Sequence, residues 1–312
     1  MKRWIALGWI VIAAYCTPAL ATSPRDSRAP EDPAAEGCVA SGSCVEIVWL
    51  GNTNWCFKYQ GGTILMDTNL GPDGLRALES AGCRDVEAIF VGHNHRDHNR
   101  GFRSLARTLR APVIAMRRAA TPEFEARTGR AFVLRSGLKA TALALEHSNE
   151  VPRLMGFGGP DPFGYVLEFP LRDEQSRPIT FFWTDTSTTM GLRNNPVDGL
   201  DYPKLTRAVI EQVGKPITLW FTFFGINHQI FAEFNAILHP RFYVVHHLGP
   251  PNPNLMMVFD QPFDPRRAGL ENTVAEFGSA YVPLGDFFST YEIRSDSAVR
   301  VERGFARKFR GR

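Results

Sequence analysis

A chain of 312 residues with 44% hydrophobic and 21% charged content can bury a core sufficient for one large domain or two ordinary ones, which excludes a disordered or fibrous protein. Its formal net charge of +3 is small for that length, and no array of basic and aromatic residues runs through the body, so no nucleic-acid partner is expected.

Lys2 and Arg3 precede an apolar run that starts at Trp4 and ends at Tyr15, and Ala19-Leu20-Ala21 then offers a small-residue cleavage site. Residues 1–21 therefore read as a secretory signal peptide. The run is short for a full span, so no integral membrane span is expected after cleavage, and the expected location is periplasmic or secreted. A mature chain starting at Thr22 loses Lys2 and Arg3 and keeps 33 basic against 32 acidic residues. Its positive charge gathers near the end, where Arg300, Arg303, Arg307, Lys308, Arg310 and Arg312 face only Glu302, and residues 296–312 read as a solvated basic tail. Cleavage leaves Cys38, Cys44, Cys56 and Cys83 in an oxidising compartment, with three pairings open. Cys38 and Cys44 could close a small loop. None of the four sits in a Cys-x-x-Cys unit, so none is assigned to a metal. Residues 22–44, rich in Pro, Ala and Ser at the start, read as a flexible leader.

Residues 45–50, 55–59 and 63–67 form three strand-like runs separated by Gly51-Asn52-Thr53-Asn54 and Gly61-Gly62, which predicts a β-meander. A short helix is expected over 75–81. The apolar run Val86-Glu87-Ala88-Ile89-Phe90 then reads as a buried strand that leads into Val91-Gly92-His93-Asn94-His95-Arg96-Asp97-His98-Asn99. Three of the chain's eight histidines fall here beside an Asp, which favours a metal site over a polar loop bearing surface histidines. An extended strand end places His93 and His95 on one side, and a turn presents Asp97 and His98. Phe102, Leu105 and Leu109 recur at helical spacing, with Asn99 as candidate cap, followed by a strand over 112–115 and a helical stretch over 124–127. This alternation predicts sheets covered by helices.

Residues 138–145 alternate as a strand that delivers His147, the only histidine between His98 and His228. The irregular stretch 151–163, with Gly156, Gly158, Gly159, Pro160 and Pro162, either borders a cleft or is a surface loop. Runs 165–169 and 179–183 read as paired strands, the second ending in Thr184-Asp185-Thr186. An amphipathic helix over 202–213, a buried strand over 217–224 and a helix over 231–238 lead to Phe242-Tyr243-Val244-Val245-His246-His247. Only one of these adjacent histidines can easily face a given metal, because strand side chains alternate. Trp220, Phe221, Phe223, Phe224, Phe287 and Phe288 either line an apolar cleft for a lipid-like ligand or belong to the core.

Written as His-x-His-x-Asp-His, residues 93–98 resemble the signature of the metallo-β-lactamase superfamily of metal-dependent hydrolases. The resemblance implies an α/β fold, an αββα sandwich with its metals at one sheet edge, formed here by a single domain over 45–295. It also implies a ligand set: His93, His95 and His147 for one divalent ion, Asp97, His98 and His246 for a second, and Asp185 bridging them. Asp97 and Asp185 then carry catalysis, His246 is preferred to His247 as last ligand, and Asp67, at the end of the third strand, supports the site from behind. Zinc suits such nitrogen and oxygen donors, with manganese or iron as alternatives. Thr184 stands where the family usually has Gly. Because it would supply only backbone position, Thr184→Gly is expected to be tolerated.

Within the superfamily, His147-Ser148 and Thr184-Asp185-Thr186 look most similar to the branch of ascorbate-6-phosphate lactonase and N-acyl-phosphatidylethanolamine phospholipase D. The resemblance implies an exported dinuclear hydrolase whose metal-bridging hydroxide cleaves a phosphodiester, lactone or related ester in a small-molecule or lipid-like substrate. A metal-stabilised binding protein without catalysis is the alternative from another class. A β-lactamase is disfavoured, because those enzymes lack the bridging Asp.

Overall fold

A computed structural model of the chain describes residues 37–51, 53–68, 70, 74–93, 98, 101–115, 120–145, 163–172, 176–184, 202–223, 228–246, 272, 274–284 and 288–301. By internal contacts the chain divides into Met1–Ala35 and Glu36–Arg312, and every described residue belongs to the second unit. The signal peptide read over 1–21, the loop over 151–162 and the end of the basic tail lie outside the described residues.

Helix α1 (Gly37–Ser41) precedes a meander of β1 (Val45–Gly51), β2 (Asn54–Tyr59) and β3 (Gly62–Met66), then α2 (Gly74–Ser80), β4 (Val86–Phe90), α3 (Phe102–Leu109) and β5 (Val113–Ile114). Strands β6 (Ala131–Val133), β7 (Lys139–Ala144), β8 (Phe163–Arg172) and β9 (Pro178–Trp183) follow, with α4 (Tyr202–Val213), β10 (Leu219–Phe223), α5 (His228–Leu238) and β11 (Phe242–His246) after them. The chain ends in β12 (Ala280–Tyr281), β13 (Thr290–Ile293) and β14 (Ala298–Val301). Among the described residues these strands make two seven-stranded sheets, ordered β14-β13-β1-β2-β3-β4-β5 and β12-β11-β10-β9-β8-β7-β6. In the first, β3, β4 and β5 run parallel. In the second, β9, β10, β11 and β12 do.

Side chains alternate along a strand, so a strand with apolar residues on both faces must be covered twice. Here Ile47, Trp49, Phe57, Ile64 and Phe90 of the first sheet meet Tyr165, Phe181, Phe221 and Val244 of the second in one inner layer. The opposite faces turn outward onto helices: Val48, Leu65 and Ile89 pack with Leu78, Phe102 and Leu105. Val166, Phe182, Trp220 and Val245 pack with Val209, Val213, Phe234 and Leu238. The result is the expected αββα order of layers. The inner layer is strongly aromatic, with Phe221 against Trp55 (centroids 5.0 Å) and Phe57 (5.1 Å), and Phe181 against Phe169 (4.7 Å). Trp220, Phe221 and Phe288, three of the aromatic residues considered for an apolar cleft, are buried in these clusters. They are core.

Two described elements fall inside stretches read as leader and tail. Helix α1 lies in the first, with Cys38 joined to Cys44 at the start of β1. Residues 298–301 lie in the second and add β14 antiparallel to β13. The N-cap of helix α3 is Gly101, with a left-handed φ of 89° and no side-chain cap bond, and not the candidate Asn99. The helical stretch expected over 124–127 is a single 3-10 turn at Pro122–Phe124, since Ala126 N–H donates to Ala115 O (2.7 Å) and draws the chain alongside β5. Among the described residues no helix is long and apolar enough to cross a membrane.

The second disulfide, Cys56–Cys83, links β2 to the segment before β4 across a separation of 27 residues, whereas Cys38–Cys44 spans 6. Closing a loop of the larger size removes conformational entropy from the unfolded chain worth about 3–4 kcal/mol. The Cys56→Ala/Cys83→Ala variant should therefore lose about 3 kcal/mol of unfolding free energy in urea denaturation, and Cys38→Ala/Cys44→Ala less. An unchanged midpoint for the first variant would contradict this.

Candidate metal centre

Strand β3 stops because Asp67 turns the backbone into the left-handed region (φ 52°), a conformation that short polar residues tolerate better than most. Its N–H donates to Phe90 O (2.8 Å), so the turn stays attached to the end of β4. The carboxylate then reaches the segment that leaves β4: Gly92 N–H donates to Oδ1 (3.0 Å), and His98 Nδ1–H donates to Oδ2 (2.5 Å). Thr68 N–H closes the arrangement by donating to His98 O (3.0 Å). Asp67 and His98 are both fully buried at their side chains. A buried charge is tolerated when it is paired and hydrogen-bonded in this way.

This arrangement fixes the imidazole. With Nδ1 protonated toward Asp67, the lone pair of His98 lies on Nε2, the pattern by which a carboxylate orients a metal-binding histidine. The His93 ring lies beside it, with centroids 3.9 Å apart and planes tilted by 45°. Two buried imidazoles and a supporting carboxylate thus meet at the end of β4, a donor set that suits a divalent ion of the zinc class.

The second sheet brings its own strand ends to the same inner layer. Tyr165 on β8 crosses between the sheets and donates its hydroxyl to Val91 O (3.0 Å) and Ile114 O (3.3 Å). Burial, reinforced by the charge of Asp67, pushes its ionisation well above the ordinary tyrosine range, so the group remains a donor. Trp183, the last residue of β9, lies 6.4 Å from the Tyr165 ring and stacks on His246 (5.7 Å, 7° between planes). Contacts therefore run unbroken from His246 to the carbonyl two residues before His93.

His246 ends β11 on the inner face, in line with Phe242 and Val244. Its Nε2–H donates to Thr184 O (2.7 Å), so Nδ1 is the nitrogen that holds the lone pair. Thr184 is more than a spacer: its hydroxyl donates to Phe221 O (2.8 Å) and accepts from Trp220 Nε1 (3.1 Å). Thr184→Gly, expected from the sequence to be tolerated, would remove the oxygen on which Trp220 rests. Gly164 permits the close approach of β8 here, since a Cβ at that position would lie 2.6 Å from Leu145 Cδ1 and 2.9 Å from Trp183 O.

Of the ligands expected from the sequence, the structure describes His93, His98 and His246. His95, Asp97, His147 and Asp185, together with the alternative His247, lie outside the described residues. Among the described residues, the only three donors of this kind within 4.8 Å of one another are Cys38, Cys44 and Glu292, and the disulfide removes both sulfurs from metal chemistry. Tyr165 and Gly164 escaped the sequence reading. Each looks like an ordinary strand residue until its partner across the layer is known.

No family model matches the chain. A UPF0173 metal-dependent hydrolase of Cupriavidus taiwanensis is 31% identical over 173 residues, which cover 47% of this chain and 59% of that protein, so the match spans little more than half of the relative. Among solved structures, Igni18, a metallo hydrolase from Ignicoccus hospitalis, is similar with a TM-score of 0.53 at 14% identity over 81% of this chain and 99% of that chain. CmlA, a diiron β-hydroxylase from Streptomyces venezuelae, is similar with a TM-score of 0.51 at 14% identity over 81% of this chain and 54% of that chain. At such identities these likenesses speak for architecture alone, and with the two helix-covered sheets they show that the chain has the metallo-β-lactamase fold.

Proposed function

We propose that this chain is a metal-dependent hydrolase that is exported, holds two divalent ions and cleaves a phosphodiester, lactone or related ester. The observation that carries the reading is the buried Asp67–His98 contact, which commits one nitrogen to a carboxylate in a ring that lies beside that of His93. The name of the Cupriavidus taiwanensis relative, a metal-dependent hydrolase, supports the same class. In this reading His93, His95 and His147 hold one ion, Asp97, His98 and His246 the other, and Asp185 bridges them, with His246 ligating through Nδ1. Two ions so held supply a nucleophilic hydroxide near neutral pH and offset negative charge at the attacked centre. The protein's part is to fix the imidazoles, bury the site and keep Tyr165 as a donor that ties β8 to the end of β4.

Zinc is the proposed metal, and the diiron neighbour makes iron the first alternative to load. Similarity of the motifs to the ascorbate-6-phosphate lactonase and N-acyl-phosphatidylethanolamine phospholipase D branch directs the choice of substrates toward small or lipid-like esters. A closed, mononuclear structural site would mark the alternative, a binding protein stabilised by metal. Metal analysis of the purified chain with zinc, manganese and iron arms, followed by a chromogenic ester and phosphodiester panel, separates the two. Two ions with turnover are expected. One tightly held ion without turnover would contradict the hydrolase.

Asp185→Ala should abolish turnover and lower occupancy toward one ion per chain, measured by native mass spectrometry; two retained ions would remove Asp185 from the bridge. Asp67→Asn tests the support behind His98, because Asn also tolerates the left-handed turn and deletes only the charge. It should weaken metal binding by about 10–100-fold in competition with a chelator. Unchanged affinity would show that the carboxylate does not orient a ligand. Export is read from Lys2, Arg3 and the Ala19-Leu20-Ala21 site, so intact-mass measurement of protein from the native envelope or medium should find a chain starting at Thr22. Recovery of Met1 would overturn it.

A further inference from the structure

We propose that Thr184 is a positioning residue whose hydroxyl and carbonyl lock the C-terminal ends of β9, β10 and β11 together and thereby fix the backbone position that immediately precedes Asp185 in the sequence. The inference rests on the reading of Asp185 as a metal-bridging carboxylate.

The three strands run parallel, with Trp183 opposite Phe221 and Phe223 opposite His246. Parallel pairing alone would let the residue just after β9 fray, since one ladder bond per residue is easily lost at a strand end. Thr184 is held far more firmly. Its N–H donates to Phe221 O (3.0 Å), and its hydroxyl donates to the same carbonyl (2.8 Å), so both groups anchor on one atom of β10. From the helix-covered face, Trp220 Nε1–H donates to the hydroxyl (3.1 Å). From the inner face, His246 Nε2–H donates to the Thr184 carbonyl (2.7 Å), a bond that reaches from β11 across β10 to β9. The residue is wholly buried.

A Gly at this position keeps only the backbone bonds. The Thr hydroxyl adds a donor and an acceptor within one residue of the carboxylate, and the β-branched side chain leaves little freedom at χ1. A hydrogen bond to a metal ligand itself typically governs affinity by about 10–100-fold because it sets the ligand's position; the His246 bond to the Thr184 carbonyl is of that kind, and the hydroxyl acts by holding that carbonyl in place. His246, itself an expected ligand, donates to the residue that precedes the other expected ligand in the sequence. The two ends of the second sheet's contribution to the site are thus held as one unit.

The test uses the full chain and three substitutions. Thr184→Val keeps shape and deletes the hydroxyl, Thr184→Ser keeps the hydroxyl, and Trp220→Phe deletes the indole donor. Metal affinity is read by competition with a chromogenic chelator, ion stoichiometry by native mass spectrometry, and folding by the melting temperature of the metal-free protein. Thr184→Val should lose about tenfold or more in affinity for one of two ions, Thr184→Ser should restore it to within about threefold, and Trp220→Phe should fall between them. A metal-free melting temperature that drops equally in Thr184→Val and Thr184→Ser, with no difference in affinity between them, would reduce Thr184 to packing and overturn the proposal. Wild-type affinity in Thr184→Val also overturns it. Asp185→Ala separates this failure from failure of the metal reading: loss of an ion there with unchanged binding in Thr184→Val sinks only the lock, whereas two ions retained in Asp185→Ala sinks the bridge and the lock together.

Discussion

The candidate site depends on one buried hydrogen bond, from His98 Nδ1 to Asp67 Oδ2 at 2.5 Å. Everything around it has to be in place for the bond to form. Strand β3 must end at a residue that accepts a left-handed backbone, β4 must lie parallel to it so that Asp67 N–H reaches Phe90 O, and the chain must return after His93 to set His98 over the carboxylate. Removing either partner would leave the other polar group buried without compensation, at a cost typically of several kcal/mol for a charged group. Retaining such a pair makes physical sense where its purpose is to orient a ring. In a core otherwise built of aromatic and aliphatic side chains, packing alone would supply stability more cheaply.

The aromatic inner layer explains why both sheets can contribute to one site. Trp55, Phe57, Phe181 and Phe221 interlock across the layer in edge and tilted contacts, which fixes the separation and register of the sheets over their length. Several polar ties gather at the strand ends. Tyr165 binds the carbonyls at the ends of β4 and β5, and the Thr184 cluster gathers β9, β10 and β11. At the opposite end of β4, Glu87 accepts from Tyr59 OH (3.1 Å) and from Ser136 N–H (3.0 Å), joining the sheets there as well. A rigid sandwich with polar fastenings at both ends suits a site in which several ligands must arrive from different strands.

Much of this was legible in the sequence, for identifiable reasons. The runs at 45–50, 86–90, 179–183 and 242–246 are apolar on both faces, which only strands covered on both sides can sustain, and each appears as a strand. Asp67 was legible as support only through the family resemblance, which places an Asp at the end of the third strand, and the structure sets it against His98. The misses share a cause. Strands β6, β13 and β14 are short, β13 and β14 are partly polar, and β13 pairs with β1 from the far end of the chain, with Val45 opposite Ile293, so no local pattern reports it. The roles of Tyr165, Gly164 and the Thr184 hydroxyl depend on which carbonyl or side chain lies across a sheet. Only the replacement of a usual Gly by Thr184 left a mark in the sequence, and its meaning required the positions of Trp220 and Phe221.

The central claim is that His93 and His98, held by Asp67, form part of a two-ion centre at the end of β4. Anomalous diffraction from crystals of the zinc-loaded chain tests this most directly. The account predicts two peaks about 3.5–4 Å apart, with His98 Nε2 about 2.0–2.1 Å from one of them. A single peak, or peaks whose ligands include neither His93 nor His98, would contradict it.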